Sequence, residues 1–434
     1  MELLFILAFI SLCAISSFRP PWAFALVLLM FPLEQAMQAY CPTLRGNGLG
    51  SQVVNYAVAL TSILACLRVI FKGGGFAHWM NTAMVATLAL YVWSAITLVW
   101  SPGRETGFEI IGSQWPYFFL IIVLAPLLIS DIDELGTSLR ATLWIALPLG
   151  VIFIASPEFT SVYGRLGIDV AGKRSNPLAI GELGGTLLLI GATLRRGILP
   201  VAGSVIRTVA VIVGAIVAIK AGSRGQFFIS VVIAIAFIPV SAPLRNLSAF
   251  LSALIGISVV LVAASVLLST QLEGFAAQRF SSEAMLYGDS SVLGRVSNLY
   301  VLAAAYFQSP VAIFIGLGYN ALSTLPDGMG QPYSHSLFAD SLCELGIPGA
   351  ILMSLIVWTG FRSMYQLLRL HAHNPMERAV LATVSALFVA QILLVNKQGA
   401  LWGTPVLFPL LVVMVRINLN QANSYFTQPE MREW

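Results

Sequence analysis

Charge is what this sequence lacks. Of its 434 residues only 10% are Asp, Glu, Lys or Arg, while 58% are hydrophobic. Mean hydropathy is +0.87. A water-soluble chain of this length needs a far more polar surface, so an aqueous globular enzyme is excluded and lipid is the expected solvent. The net charge of +4 is small and dispersed. No basic tract marks a nucleic-acid partner. Cysteine is sparse too, and Cys13, Cys41, Cys66 and Cys343 match no metal or redox spacing. Cys13 and Cys66 read as apolar filler within spans. No outward loop shows paired histidines or cysteines, or an aspartate pair at ligand spacing, so no metal site is expected. No P-loop lysine or complete GxGxxG accompanies GLGY at 316–319, which reads as a turn rather than a nucleotide loop. No cofactor is expected. No internal repeat, linker or low-complexity tract is present.

What the chain does have is a succession of apolar runs, each close to the ~20 residues a helix needs to cross hydrocarbon. The runs are too continuous for the alternation of a membrane barrel, and an open sheet cannot satisfy its backbone in lipid. The expected spans are 1–16, 22–37, 53–71, 80–100, 111–130, 139–155, 176–194, 206–221, 226–242, 247–268, 346–366, 378–396 and 402–416. The first lacks a basic leader and a small-residue cleavage site, so it reads as a retained span. The expected fold is an all-α, polytopic helical bundle of about 12–14 transmembrane helices, as a single integral membrane domain over 1–434.

One interval escapes the pattern. Residues 269–345 are polar, and they hold only Arg279 and Arg295 against Glu273, Glu283, Asp289, Asp327, Asp340 and Glu344. More than half of the Lys and Arg residues, among them Arg68, Arg140, Arg207, Arg369 and Arg378, fall on the opposite set of loops. By the positive-inside rule the interval is expected outside the cytoplasm, as a large loop or lid with amphipathic helices. The helical spacing of Val292, Val296, Leu299, Tyr300, Ala303 and Phe307 predicts a helix over 292–308 that lies flat on the bilayer or bundle top.

Several cations defy the topological rule, namely Arg165, Lys173, Arg174, Lys220 and Arg224. Lys173 and Arg174 precede Ser-Asn-Pro, a helix-start pattern at the mouth of a span. Lys220 and Arg224 flank a tight turn that Gly222 and Gly225 allow. Together with Arg295, Arg174 and Arg224 put three forked guanidinium groups on the outward side. Such groups bind phosphate oxygens in pairs and stay charged. Snorkelling to lipid headgroups is the alternative. His335, in PYSHSLFAD, is the one histidine on that side, and its near-neutral pKa suits proton removal from a hydroxyl. A helix-start histidine bonded to nearby backbone is the alternative. Asp340 and Glu344 follow on the same expected helix as candidate orienting groups. Glu182, inside a span, is expected to pair with a cation such as Arg174.

These pieces resemble the bacterial O-antigen ligase and polymerase family of membrane glycosyltransferases. The resemblance rests on Trp100-Ser101 at a span end, Ser223-Arg224-Gly225, Arg295 opening the outward helix, and HSLFADSLCELGIPG over 335–349. Ser336 stands where that family more often has asparagine. The resemblance implies a metal-independent, inverting enzyme that takes a glycan from undecaprenyl diphosphate at the periplasmic face of the bacterial inner membrane. It implies Arg224 and Arg295, with Arg174, at the diphosphate, and His335 as the base on the acceptor hydroxyl. Lys173, Lys220, Asp340, Glu344 and Glu182 would support them. The acceptor is a lipid-linked repeat unit in a polymerase and lipid A–core in a ligase. The short interval between Arg295 and His335 leans toward the polymerase. A polytopic flippase or transporter, and a peptidoglycan glycosyltransferase of the shape and division family, are the other readings.

Overall fold

The computed structural model describes residues 2–44, 49–73, 76–155, 160–162, 165–167, 169–170, 173–174, 177–194, 203–242, 290–325, 334–403 and 406–427. It is an all-α polytopic membrane bundle. Among the described residues seven helices are long and apolar enough to cross a membrane, or eight if a bent pair is one span. Twelve of the 13 expected spans fall on helices; the remaining one, 247–268, lies outside the described residues. Large apolar side chains such as Leu3 (69% exposed), Val232 (61%) and Ile351 (61%) face outward. In water they would form an adhesive surface; in lipid they match the solvent.

The helices group into two units. The first comprises Met1–Gly73, Asp131–Tyr287 and Leu368–Ala390. It holds α1 (Glu2–Phe18), α2 (Pro20–Leu28), α3 (Met30–Tyr40), α4 (Leu49–Phe71), α7 (Ile132–Ala155), α8 (Pro177–Thr193), α9 (Gly203–Lys220) and α10 (Arg224–Ser241). Without a hydrophobic drive between helices in lipid, small residues decide how close they come. A Cβ on Gly184 would lie 2.6 Å from the Ala218 backbone nitrogen, and one on Gly214 would lie 2.6 Å from the Gly184 carbonyl. So α8 and α9 touch backbone to backbone. Gly185 similarly admits Ser230 of α10. Arg207 donates to the Gly191 and Ala192 carbonyls at 2.9 and 3.1 Å, satisfying the C-terminus of α8. Arg378 does the same for α10 through the Val240 carbonyl, at 2.7 Å. Two cations that read as topological markers are therefore also helix caps. Before α8, the expected helix start after Ser-Asn-Pro is found, and the residues ahead of it take a form the sequence did not suggest. Lys173-Arg174 is a short strand paired antiparallel with Asp169-Val170, and the helix begins at Pro177.

The second unit comprises Gly74–Ser130, Gly288–Leu367 and Gln391–Trp434. It holds α5 (Thr82–Thr97), α6 (Arg104–Phe118), α11 (Ser290–Gln308), α12 (Pro310–Ile315), α13 (Leu337–Cys343), α14 (Gly346–Leu370, but for its last turn) and α16 (Leu407–Thr427). The helix α15 (Pro375–Gln398) contributes its end from Gln391 onward. Asn81 caps α5 by accepting the Met84 N–H at 3.0 Å and donates to the Val412 carbonyl at 3.2 Å. Beyond Pro116, α6 widens into a π-helical turn at Phe119–Leu124, as expected where proline removes a ladder bond. Arg416 of α16 is buried, and its guanidinium donates to the Ala77, Pro126 and Ile129 carbonyls, which loop breaks leave unpaired.

The helix expected over 292–308 is present as α11, with a difference. Its buried stripe is Asn298, Leu302 and Tyr306. Val296, Tyr300 and Phe307, from the apolar set that predicted the helix, are 59%, 74% and 69% exposed. The helix is apolar on two sides. One packs into a small core with Ala312, Leu322 and Cys343, and the other is left for lipid.

Candidate active site

The second unit builds its site on three backbone segments that touch. The turn Gly316-Leu317-Gly318 lies along the residues that join α13 to α14. Leu317 N–H donates to the Cys343 carbonyl and Gly318 N–H to the Glu344 carbonyl, both at 2.9 Å. The contact is so close that a Cβ on Gly316 would sit 2.1 Å from the Glu344 oxygen, and one on Gly346 would sit 2.4 Å from the Gly316 nitrogen. Both glycines have positive φ, +83° and +67°. The third segment is Trp100-Ser101. Trp100 Nε1 donates to the Gly316 carbonyl at 3.2 Å, and Ser101 Oγ to the Tyr319 carbonyl at 2.6 Å. Trp93 Nε1 reaches the Leu345 carbonyl at 2.8 Å. The glycines and Trp-Ser pair of the sequence pattern thus have one physical purpose, to let three irregular segments meet while the Gly316, Tyr319, Cys343, Glu344 and Leu345 carbonyls each find a donor.

His335 sits just before α13, with φ +69°. A non-glycine residue in this region is strained, and such strain persists only where neighbours hold it. Here they do. Ser334 Oγ donates to the Asp340 carboxyl at 2.5 Å and accepts the Ser336 N–H at 3.1 Å. Ser336 caps α13 by accepting the Ala339 N–H at 3.4 Å. Asn396 of α15 accepts from Ser336 Oγ and the Phe338 N–H, both at 3.3 Å, and donates to the Ile392 carbonyl at 2.8 Å. The residues on both sides of the histidine are pinned. The expectation that Asp340 and Glu344 share one helix is corrected: α13 ends at Cys343, and the span starts afresh at Gly346.

Burial lowers the His335 pKa, and the Arg295 charge lowers it further. The imidazole is therefore held neutral near pH 7, the state that accepts a proton. Arg295 and His335 are thus brought within electrostatic reach of each other. The expected roles of Asp340 and Glu344 divide. Asp340 braces the histidine turn through Ser334. Glu344 accepts the Asn320 and Leu322 N–H groups at 3.0 and 3.4 Å, and so holds the glycine turn. Burial raises the Asp340 carboxyl to about 7, against the Ser334 hydrogen bonds. Burial and then Asp340 push Glu344 well above the ordinary carboxylate range. Cys343, beside them, is raised to about 12 by burial and the two carboxyls, so it is no thiolate nucleophile.

The remaining predicted residues belong to the first unit. Lys220 closes α9, Ala221 and Gly222 turn the chain, and Arg224 opens α10; both cations are half-buried. Only Gly222, at φ +67°, supplies the expected conformational freedom; Gly225 is helical. Gln226 Nε2 donates to the Leu178 carbonyl at 2.9 Å. That bond ties the first turn of α10 to the first turn of α8, three residues beyond the Lys173-Arg174 strand. The backbone segments bearing Arg224 and Arg174 therefore share one end of this unit. Glu182 lies in α8 and is half-buried. Its expected pairing with Arg174 lies outside the described side chains. No group of three or more His, Cys, Asp and Glu that could hold a metal is present among the described residues.

Sequence reasoning missed three contributors. Asn320, Ser334 and Asn396 are uncharged, and nothing in their local spacing sets them apart. The signal available was position: each adjoins a motif or ends an apolar run. It also missed Glu34. That residue lies in the pair α2–α3, bent by 73°, where its carboxylate accepts from Gln38 and Asn55, each at 3.1 Å.

No protein-family model matches this chain. No curated protein matches it either. Among solved structures, one described as the structural coordination of polymerization and crosslinking by a peptidoglycan synthase complex aligns with 79% of this chain and 97% of its own. The identity is 15% and the TM-score 0.42.

Proposed function

We propose that this protein is an inverting, metal-independent glycosyltransferase of the O-antigen ligase and polymerase type. It acts at the periplasmic face of the bacterial inner membrane on a glycan carried by undecaprenyl diphosphate. The observation that carries the reading is His335. It is half-buried, backbone-strained, braced through Ser334–Asp340 and Asn396, and kept neutral by burial and Arg295. In the reaction His335 takes the proton of the acceptor hydroxyl. The freed oxygen pair bonds to the anomeric carbon from the face opposite the leaving group. The bond from that carbon to the diphosphate oxygen breaks, and the diphosphate leaves with the electron pair. Arginine charge, Arg295 in this unit and Arg224 with Arg174 by the sequence resemblance, offsets the developing negative charge. Lys173 and Lys220 add cationic character, and Glu182 is a structural carboxyl.

The acceptor is placed as a lipid-linked repeat unit, making the enzyme a polymerase; lipid A–core as acceptor would make it a ligase. Reconstitution with lipid-linked repeat units, with and without lipid A–core, separates them. A ladder of self-extended products identifies the polymerase, and a single transfer that requires core identifies the ligase. His335→Ala is expected to slow transfer by about 10²–10⁴-fold, the scale of a lost general base, in a protein that still inserts. Normal transfer by that variant removes the histidine from the mechanism. One observation favours a second reading. Glu34, hydrogen-bonded within a sharply bent helix pair, is the kind of broken-span polar cluster found in transporters. Glycan movement across vesicles without any new glycosidic bond would select it.

A further inference from the structure

The first turn of α6 borders an open cavity of about 570 Å³ in the second unit. Its walls include Arg104, Glu105, Thr106, Phe108 and Thr324. Phe108 is 52% exposed there, and the Arg104 guanidinium lies 5.7 Å from the centre of its ring. An exposed aromatic ring, a forked donor and a carboxylate acceptor are the set that recognises a pyranose; the Thr106 and Thr324 hydroxyls already donate to the Gly103 and Ala321 carbonyls and shape the wall. The ring's C–H face stacks on the aromatic, and its hydroxyls pair with planar polar groups. An inorganic or lipid phosphate fits poorly, because the Glu105 carboxylate shares the wall with Arg104.

The cavity floor is rigid and wired to the candidate active site. Asn320 Nδ2 donates to Thr106 Oγ1 at 2.6 Å and to the Gly103 carbonyl at 3.3 Å. The Asn320 N–H in turn donates to Glu344. Asn320 is 1% exposed and holds a left-handed φ of +64°, so its position is over-determined. A Cβ on Gly103 would meet the Asn320 carbonyl at 2.2 Å, which shows how tightly α6 seats against this turn.

We infer that this cavity is a saccharide subsite, taking one hexopyranose ring of the glycan substrate with its apolar face on Phe108 and its hydroxyls on Arg104 and Glu105. The inference rests on the glycosyltransferase reading and deepens it.

The test is saturation-transfer NMR on the full chain in lipid nanodiscs, which avoids sugar detergents. The probes are methyl glycosides of glucose, galactose, mannose and N-acetylglucosamine. Saturation is expected on the ring protons of one face for at least one probe. Phe108→Ala should weaken it about three- to ten-fold, the scale of a lost aromatic contact. Glu105→Gln should also weaken it, Phe108→Tyr should retain it, and His335→Ala should leave it unchanged. No transfer to any glycoside, or undiminished transfer in Phe108→Ala, overturns the subsite. So does line broadening of inorganic phosphate that vanishes in Arg104→Gln while no glycoside responds. The two readings fail separately. Glycoside binding here without any transfer reaction rejects the enzyme and keeps the subsite. Unchanged turnover in Phe108→Ala rejects the subsite and keeps the enzyme.

Discussion

Gly346→Ala tests whether the meeting of the glycine turn with α14 holds the candidate site together. Two costs follow from the structure. Gly346 has φ +67°, and an L-residue there costs about 1–2 kcal/mol. The added Cβ would also lie 2.4 Å from the Gly316 nitrogen and 2.7 Å from both the Ile315 carbonyl carbon and the Phe314 oxygen. These are backbone atoms that cannot rotate away, and overpacking of this kind costs about 1–3 kcal/mol. The sum is about 2–5 kcal/mol, a large part of a typical domain's margin. Gly73→Ala separates the two costs. Gly73 has a similar φ of +78° but nothing within 4 Å of the new Cβ, so it should lose only the first. Thermal unfolding in detergent, followed by tryptophan fluorescence, measures both. Trp93 and Trp100 hydrogen-bond to this junction and report on it directly. If Gly346→Ala is no more destabilising than Gly73→Ala, the backbone contact is not what seats the turn.

Three further outcomes are expected. Arg295→Gln removes the charge that adds to burial in depressing the His335 pKa, so the acid limb of the pH–rate profile should move to higher pH; a limb that stays put rejects the coupling. The Asp340 carboxyl is raised to about 7 in the folded protein, above its ordinary value of 3.8. The folded state therefore holds the proton more tightly, and its stabilising contribution is complete below pH ~4 and lost as pH rises through ~7. Asp340→Asn should flatten that part of the stability–pH curve, as read from melting temperatures across pH. Arg224→Lys keeps the charge of the α10 arginine but loses its planar fork. Transfer rates should drop about tenfold or more if the residue grips diphosphate in a bidentate manner, and full activity with lysine contradicts that role.

Much of the bundle was legible because the membrane imposes one rule. An apolar run of about 20 residues must be a helix whatever its neighbours do, so twelve of the expected spans reappear as helices. The candidate site was legible in its charged members and in the Trp100-Ser101 and glycine signals. His335 and Arg295 stood out because charge and imidazole are rare in so apolar a chain. Ser334, Asn320 and Asn396 did not, because an uncharged hydroxyl or amide acquires its task only from a partner far along the chain. Asn396 meets Ser336 across 60 positions, and Ser101 meets Tyr319 across 218. The inward stripe of α11 was not legible for a related reason. Lipid and protein core both accept apolar side chains, so hydrophobic spacing alone cannot say which stripe packs inward.

By itself, then, the sequence determined the solvent, the helical class and the rarity that marks His335 and Arg295. These follow from composition and from the backbone's need for internal hydrogen bonds in lipid. The tertiary structure decided what holds them. It set the break between α13 and α14, the division of the two carboxyls between separate turns, and the three-way backbone contact around Gly316 and Gly346. Those features depend on distances between remote segments, and no local pattern encodes a distance.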